Sequence, residues 1–232
     1  MFQTSPISQN FLRLGLIGLI AVLTNNITGI SSTYAAEDLV LKEDAEALQF
    51  TVNEGSWVSV SLLPDGESFV FDLLGDIYRL DIAGNLAEPV TTGMGFDSQP
   101  VVSPNGEKIA FISDRDGKDN LWVANIDGSD PVKLSKETYA TLISPTWSPD
   151  GQNIVVTKRT REIELVQYHV EGGTGVAIAQ QDEGDEIKKP PGVGAVFSPD
   201  GNYLYFAERL GGPDTPIDNF PVTQIVRLDL NS

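Results

Sequence analysis

The chain has 232 residues, with 15 Lys and Arg against 33 Asp and Glu, and a formal net charge of -18. A field of that sign repels nucleic acid and anionic lipid, and it favours basic, cationic or neutral partners. The absence of cysteine excludes a disulfide framework, a thiolate nucleophile and a cysteine metal site. We therefore expect no nucleic-acid partner and a fold held together by its core alone.

The first 36 residues differ in composition from the rest of the chain. Arg13 carries their only charged side chain, and Leu14–Leu23 is an apolar run that is shorter than the roughly 20 residues of a membrane span. Ala35 and Ala36 stand directly before an acidic pair, as small residues do at a signal-peptidase site. We predict a periplasmic or secreted protein with no membrane span after cleavage. The alternative is an uncleaved amphipathic anchor or a buried helix.

A Pro-Asp/Asn-Gly turn recurs along the rest of the chain, each time just before a short apolar run. The prolines are Pro64, Pro104, Pro149 and Pro199, spaced by 40, 45 and 50 residues. Proline presets the first turn residue, Asp or Asn bonds to nearby backbone, and glycine takes positive φ. We predict that each turn is a tight hairpin between the first two strands of a repeating unit.

Two more segments follow each turn in the same order. Third-strand segments are predicted at Asp76–Asp81, Asn120–Asn125, Glu164–His169 and Gln224–Asp229. Short fourth segments follow in three units, at Pro89–Thr92, Pro131–Ser135 and Gly175–Ala179. Four-stranded units that repeat every 40 to 50 residues predict a β-propeller. The alternative is a β-sandwich in which the turns coincide by chance.

The predicted fold is all-β: an incomplete β-propeller of about four blades, each a four-stranded antiparallel unit, with the last blade truncated. The predicted divisions are a signal peptide at 1–36, a lead-in at 37–56, and blades at 57–95, 96–140, 141–182 and 193–232. Ala47–Asn53 is a possible added strand. An open array exposes unpaired strand edges, so we expect the isolated chain to self-associate through them.

The repeat resembles those of known propellers. Ser-Pro-Asp-Gly before an apolar strand, followed by Ser113–Gly117 and Asn120–Val123, is similar to the repeat of the periplasmic Tol-associated (TolB) family and of tricorn-type peptidases. Phe50–Trp57, Phe71–Tyr78 and Phe96–Pro100 resemble the N-terminal propeller of large exported bacterial amidohydrolases more closely. The likeness covers about Leu48–Leu230 and implies a propeller of this repeat class, but it says little about what the chain binds.

No residue set for hydrolysis stands out. His169 is the only histidine, whereas a metal-dependent amidohydrolase needs several histidines and a carboxylate. There is no Gly-x-Ser-x-Gly nucleophile elbow either. We interpret His169 as an ordinary strand residue and predict no catalytic residue, no metal site and no cofactor.

Two charged segments invite a functional interpretation. Asp114–Asn120 faintly resembles a calcium loop, but it lacks the regular ligand spacing and the distal Glu. We interpret it as a blade hairpin in which Asp114 or Arg115 pairs across blades. Gln180–Gly194, with its paired carboxylates, is interpreted as a solvated connection between the third and fourth units.

The best candidate for partner contact is the segment Gly93–Ser98. It joins the outer strand of one blade to the inner strand of the next, and propeller loops of this kind are the usual places for ligands. Phe96 and Asp97 are the predicted contact residues; packing of Phe96 between blades is the alternative.

These observations predict a non-catalytic, exported module that binds or gates. Its expected partner is a protein, a peptide or a downstream catalytic domain, and the leading context is the N-terminal part of an amidohydrolase-type protein. One alternative is a Tol-system-like periplasmic scaffold. Another is the propeller of a serine peptidase whose catalytic domain is absent.

Overall fold

A computed structural model of the chain describes residue 52 and residues 54–84, 86–161, 163–179, 192–210 and 222–231. Every regular element in these ranges is a β-strand. The predicted signal peptide lies outside the described residues, as does the possible added strand Ala47–Asn53 apart from Val52.

The strands form four antiparallel sheets, each of which is one blade with its strands in chain order. Blade 1 contains β1 (Val60–Leu62), β2 (Ser68–Leu73), β3 (Asp76–Asp81) and β4 (Glu88–Pro89). Blade 2 contains β5 (Asp97–Val102), β6 (Lys108–Ser113), β7 (Asn120–Asn125) and β8 (Val132–Lys133). Blade 3 contains β9 (Thr141–Trp147), β10 (Asn153–Arg159), β11 (Ile163–His169) and β12 (Val176–Ala179). Blade 4 contains β13 (Val193–Phe197), β14 (Tyr203–Leu210) and β15 (Val222–Asp229).

The predicted all-β, incomplete propeller is confirmed. Three sheets have four strands, the fourth has three among the described residues, and the array does not close. The predicted third strands coincide with β3 and β7, and β11 and β15 start only slightly earlier than predicted. The interpretation of Gln180–Gly194 as a connection is wrong at its end, because Val193 and Gly194 belong to β13; residues 180–191 lie outside the described part.

The four turns between first and second strands have the predicted backbone. Their glycines have positive φ: 70° at Gly66, 76° at Gly106, 70° at Gly151 and 73° at Gly201. Each glycine N–H donates to the carbonyl three residues earlier, at 2.9 Å. A left-handed residue of this kind is strained for any side chain, which is why glycine recurs there.

Side chains alternate along each strand, so every blade has two faces. The leading face packs on the preceding blade and the trailing face packs on the following one. In blade 2, Phe111 on the leading face clusters with Val70 of blade 1. Ile112, one residue later, is on the trailing face and clusters with Ile154 of blade 3. The core therefore lies in layers between blades, because a single sheet cannot bury both of its faces by itself.

The first strands of blades 2, 3 and 4 carry an unpredicted irregularity. Gln99, Ser144 and Gly194 have φ of 54°, 53° and 70°, and each lies in a first strand whose register with the second strand shifts. Each stands five residues before the turn proline of its own blade. These bulges give the three strands a common bend beside the axis of the propeller.

Candidate functional site

The ends of the blades form two distinct surfaces. The turn end contains the turns between first and second strands and between third and fourth strands. The hairpin end contains the connections between second and third strands, at 74–75, 114–119 and 160–162, and the links that lead into each first strand, at 54–59, 90–96 and 134–140. Residue 162 of the hairpin end lies outside the described residues.

The charged segment 114–119 is the β6–β7 hairpin, as the sequence predicted. Arg115 Nη2 lies 2.7 Å from Asp97 Oδ2, and the backbone N–H of Phe96 donates to Asp114 Oδ1 at 2.7 Å. Both contacts stay inside blade 2, so the predicted pairing across blades is wrong. The hairpin instead bonds to the start of the first strand of its own blade. Among the described residues no group of carboxylates and histidines has the arrangement of a metal site.

Arg115 occupies an aromatic setting. Its guanidinium carbon lies 5.0 Å from the ring centre of Phe111 and 5.1 Å from that of Trp122, both within cation–π range. Asp97 beneath it is only 2% exposed. Partner contact by Asp97 stays a prediction, and this burial leaves little of its side chain accessible. Asp97 holds the hairpin in place through Arg115.

Phe96 has the opposite environment, with 61% of its surface exposed. Part of the ring lies against the β2–β3 hairpin of blade 1, because a Cβ added to Gly75 would meet the ring at 3.0 Å. The N–H of Asp97 donates to the Gly75 carbonyl at 2.8 Å and fixes that contact. Phe96 thus touches the neighbouring blade with one side and presents the other to solvent.

Other apolar side chains share the hairpin end with Phe96. They are Trp57 at 100% exposure, Leu74 at 65%, Met94 at 61% and Tyr139 at 97%. We call this set, with Phe96, the apolar rim. Exposed aromatic and methionine side chains are the residue types that protein interfaces favour over the rest of the surface.

Glu137 links blades 2 and 3 at the same end. Its carboxylate accepts a hydrogen bond from the Tyr168 hydroxyl at 3.2 Å and pairs with Lys158 Nζ at 3.1 Å. Its backbone N–H donates to Asn120 Oδ1 at 2.8 Å. Burial and the neighbouring Glu137 carboxylate raise the pKa of Tyr168 well above its usual value. The phenol therefore stays protonated and acts as a hydrogen-bond donor.

A series of hydrogen bonds joins the blades along the inner strands. Asp72 accepts from the backbone N–H groups of Ser59 and Gln99, both at 2.7 Å. Gln99 Oε1 in turn accepts from the N–H of Ser144 at 2.7 Å. Thr157 Oγ1 accepts from the N–H of Gly194 at 3.4 Å. The bulged residues thus find partners on the blade before them, which positions successive blades relative to one another.

Sequence reasoning missed this inter-blade series. The available signal was polar side chains at core positions: Asp72 and Thr157 both stand eight residues after a turn proline, each directly after a run of three apolar residues in its second strand. A buried polar side chain needs a hydrogen-bond partner. Two such side chains at the same repeat position therefore indicated that both make the same kind of hydrogen bond.

The turn end repeats one hydrogen-bond pattern. Ser148 Oγ donates to Asp150 Oδ1 at 2.5 Å and accepts from the N–H of Asn153 at 2.9 Å. Ser198 and Asp200 make the equivalent bonds in blade 4. Hydrogen bonds from the serine hydroxyl and from backbone N–H lower the pKa of Asp150 and of Asp200 below its usual range.

The charges at the turn end have one sign among the described turns. The charged side chains of these turns are all acidic, and the described turns contain no Lys or Arg. They are Asp65, Glu67, Glu107, Asp127, Asp130, Asp150, Glu171 and Asp200. His169 ends β11 at this surface, is exposed, and accepts the N–H of Glu171 at 3.2 Å. It is a strand residue, as predicted. The apolar rim therefore has no counterpart of equal extent among the described turns at this end.

The family model of the TolB beta propeller domain matches residues 40–207. The chain belongs to that family. The match agrees with the resemblance seen in the Ser-Pro-Asp-Gly repeats and with the blade architecture.

Curated relatives match parts of this TolB-family chain. An uncharacterized protein from Agrobacterium fabrum is 34% identical over 96 residues, which is 40% of this chain and 32% of that protein. The uncharacterized peptidase YuxL from Bacillus subtilis is 36% identical over 91 residues, 39% of this chain and 13% of the peptidase. A TolB homolog from Chlorobaculum tepidum is 34% identical over 87 residues, 38% of this chain and 19% of the homolog. The matches span less than a third of each relative.

Two solved TolB structures share the fold. The putative TolB from Agrobacterium tumefaciens has a TM-score of 0.61 at 23% identity, covering 78% of this chain and 61% of that one. TolB from Acinetobacter baumannii has a TM-score of 0.61 at 16% identity, covering 80% and 44%. Within the described part of the chain, no helix is long and apolar enough to cross a membrane.

Proposed function

We propose that this TolB-family propeller is an exported, non-catalytic module that binds or gates, and that the apolar rim receives a protein or peptide. Phe96 lies at the centre of the proposed contact. The supporting observation is its geometry: a 61% exposed ring held against Gly75 on one side, with its own N–H fixed by Asp114. A rigid aromatic side chain gives contact area at low entropic cost, which is why such residues anchor interfaces.

The charge distribution supports this choice of surface. At the hairpin end, Arg115, Lys118 and Lys136 alternate with acidic side chains. At the turn end the described turns carry carboxylates only, with the exposed Lys108 beside them at the start of β6, and these carboxylates repel one another and any acidic partner. The rim therefore combines apolar area with a mixed polar border, which is the usual anatomy of a protein interface.

Site-specific crosslinking in the native host tests the contact. A photoreactive phenylalanine analogue replaces Phe96 in one variant and Gln152, an exposed turn-end residue, in a control variant. We expect a discrete protein adduct from position 96 and none from position 152. Equal labelling at both positions, or adducts from position 152 alone, would contradict the proposed surface.

The proposed context is the N-terminal part of a larger exported enzyme in the periplasm. The sequence resemblance favours an amidohydrolase-type protein. The 36% identity to the peptidase YuxL over 91 residues favours a second candidate, the propeller of a serine peptidase. Sequencing the gene beyond the codon for Ser232 separates them, because a His-x-His segment with later His and Asp indicates an amidohydrolase and Gly-x-Ser-x-Gly indicates a peptidase.

Export is tested separately. If residues 1–36 are a signal peptide, the protein expressed in a Gram-negative host has its N-terminus at Ala36 or Glu37 in the periplasmic fraction. Mass spectrometry that finds an intact Met1 in a cytoplasmic product would contradict the proposal.

A further inference from the structure

The fourth strands of blades 1 to 3 lie at the outer edges of their sheets. Among the described residues, β4, β8 and β12 each pair with a third strand on one side and with no strand on the other. β4 and β8 have two residues each, whereas β12 has four, Val176–Ala179. Neighbouring blades pack on the faces of a sheet, so the number of blades in the ring does not decide whether these edges are open.

One position of the fourth strand differs in chemistry between the three blades. It lies opposite the third-strand residue that pairs with the second strand seven positions after the turn proline. Its occupants are Pro89 in blade 1, Lys133 in blade 2 and Ala177 in blade 3, opposite Tyr78, Trp122 and Val166. The blades therefore place a proline, a charged residue and a small apolar residue at the same point of their edges.

The backbone at this position faces away from the sheet. In blades 1 and 2 the next residues, Val90 and Leu134, donate their N–H inward to the third strand, at 2.7 and 2.9 Å. Backbone groups of successive strand residues point to opposite sides, so the position before them faces the free edge. Pro89 has no N–H there and Lys133 adds a charge, and proline and lysine both protect sheet edges from further pairing. By the same register Ala177 directs its N–H and carbonyl outward, without either form of protection.

The sequence around β12 adds no other protection. From Gly172 to Gln181 there is neither a proline nor a charged residue. Val176, the first residue of β12, has 64% of its surface exposed. An uncharged, exposed edge of this kind is a template for an added strand.

We propose that β12 binds an extended segment of a partner protein, which pairs along it as a fifth strand of blade 3. Main-chain hydrogen bonds give strand addition of this kind its affinity, and neighbouring side chains give it specificity. The site is separate from the apolar rim, because β12 lies on the outer side of its blade and the rim lies at the hairpin end.

Charge selects the kind of segment that fits. Glu171 stands before β12 in the sequence, and Asp182 and Glu183 stand after it. These carboxylates favour an apolar segment that is flanked by Lys or Arg. They oppose pairing of β12 with β12 of a second copy, because either strand direction brings acidic side chains together. The occupant is therefore a basic-flanked strand of another protein.

A synthetic peptide with a fluorescent label serves as the probe, with alternating Val and Thr between two pairs of Lys. We expect fluorescence anisotropy to show that it binds the purified chain, and that a peptide with Glu in place of Lys does not. Added sodium chloride should weaken the binding, because it screens the attraction between the basic flanks and the carboxylates.

Two variants at one position separate strand addition from attraction by net charge. Ala177→Pro copies blade 1 and removes the outward N–H, whereas Ala177→Ser keeps it. We expect Ala177→Pro to weaken peptide binding by about tenfold or more, as the loss of a main-chain hydrogen bond does. Ala177→Ser should leave the binding unchanged. The unfolding midpoints of both variants are compared with wild type first.

A second pair of variants keeps the test open if Ala177→Pro does not fold. Val176→Lys charges the exposed side of β12, and Val132→Lys makes the same change at the equivalent position of β8, which is 57% exposed. Only Val176→Lys should weaken the binding of the basic peptide.

Three results would overturn the proposal. The first is no binding of the basic peptide by wild type. The second is binding as tight as wild type by folded Ala177→Pro or by Val176→Lys, which would indicate attraction by net charge alone. The third is loss of binding in Phe96→Ala, which would place the peptide on the apolar rim.

Discussion

The turn end and the hairpin end of the blades are built in opposite ways. At the turn end, blades 2, 3 and 4 repeat a serine hydroxyl, an Asp or Asn acceptor and a left-handed glycine, with nearly identical hydrogen bonds. At the hairpin end the described connections between second and third strands differ from one another. The β2–β3 connection is the pair Leu74 and Gly75, whereas the β6–β7 connection carries alternating charges.

The turns even stack on one another. A Cβ added to Gly106 would lie 3.3 Å from Pro64, one at Gly151 3.8 Å from Pro104, and one at Gly201 3.8 Å from Pro149. Each turn therefore fits over the proline of the preceding blade. A feature that recurs with this regularity serves folding, because every blade has the same need for it.

The hairpin end repeats one bond, from the third strand to Thr91 in blade 1 and to Ser135 in blade 2, but it also holds structures that occur once among the described residues. Arg115 and Asp97 secure one hairpin, Glu137 bridges one pair of blades, and Phe96 covers one glycine. Features that no other blade requires are free to serve a partner. The comparison of the two ends indicates that functional residues are to be sought where one blade differs from the others.

The largest expected effect comes from the ion pair of the hairpin end whose carboxylate is buried, Arg115 with Asp97. Arg115→Ala leaves the 2% exposed Asp97 carboxylate without its cation and removes two cation–π contacts. Breaking a buried pair from one side costs about 3 kcal/mol. We expect a loss of that size in the free energy of unfolding, measured by urea denaturation.

Lys118→Ala, an exposed change in the same hairpin, is the control and should cost less than about 0.5 kcal/mol. Adding Asp97→Asn to Arg115→Ala should recover part of the loss, since the uncompensated charge is then gone. Equal losses from Arg115→Ala and Lys118→Ala would show that the ion pair does not hold the hairpin.

A single turn should matter less, because its pattern is repeated in other blades. Ser148→Ala removes the hydroxyl that donates to Asp150 and accepts from the N–H of Asn153. A lost hydrogen bond at a mostly buried site costs about 1–2 kcal/mol. Ser129→Ala is the matched control: Ser129 donates to Asp127 at 2.6 Å in an exposed turn. A loss for Ser129→Ala as large as that for Ser148→Ala would contradict the assigned role of the buried hydroxyl.

The same turns predict a pH dependence. The folded-state pKa of Asp150 and of Asp200 lies below the unfolded value, because hydrogen bonds favour the carboxylate. Their stabilising contribution is therefore complete above the unfolded pKa of about 3.9, and it is lost as pH falls through the lower folded pKa. The free energy of unfolding should decrease with acid in that window. Ser148→Ala combined with Ser198→Ala should flatten this decrease, and an unchanged slope would contradict the assignment.

The sequence predicts the turn end of the blades better than the hairpin end. The turn end was predictable because proline, Asp or Asn and glycine are constrained by backbone geometry that is local to a few residues. The third strands were predictable for a similar reason, as apolar runs at a constant distance from those turns. Blade order and topology followed from the repeat alone.

The candidate site was only partly predictable. Phe96 was predicted as a contact residue from its place in a link between blades, and that role stays a prediction. The burial of Asp97 depends on Arg115, which is 18 residues away in sequence and lies in another loop. The contact between Glu137 and Tyr168, separated by 31 residues, is of the same kind. Such pairings are decided by the packing of the folded blades, and no local pattern encodes them.

A smaller effect on stability is expected at Phe96, the residue at the centre of the proposed contact. Phe96→Ala removes a ring that is 61% exposed, so little apolar area returns to water. We expect a loss of about 0.5–1 kcal/mol, well below the roughly 3 kcal/mol or more of a fully buried Phe→Ala change. Tyr139→Ala, at 97% exposure on the same rim, should cost close to nothing and serves as the control. A loss at Phe96 comparable to that of Arg115→Ala would mean that the ring is a core residue, and the apolar rim would then lose its proposed centre.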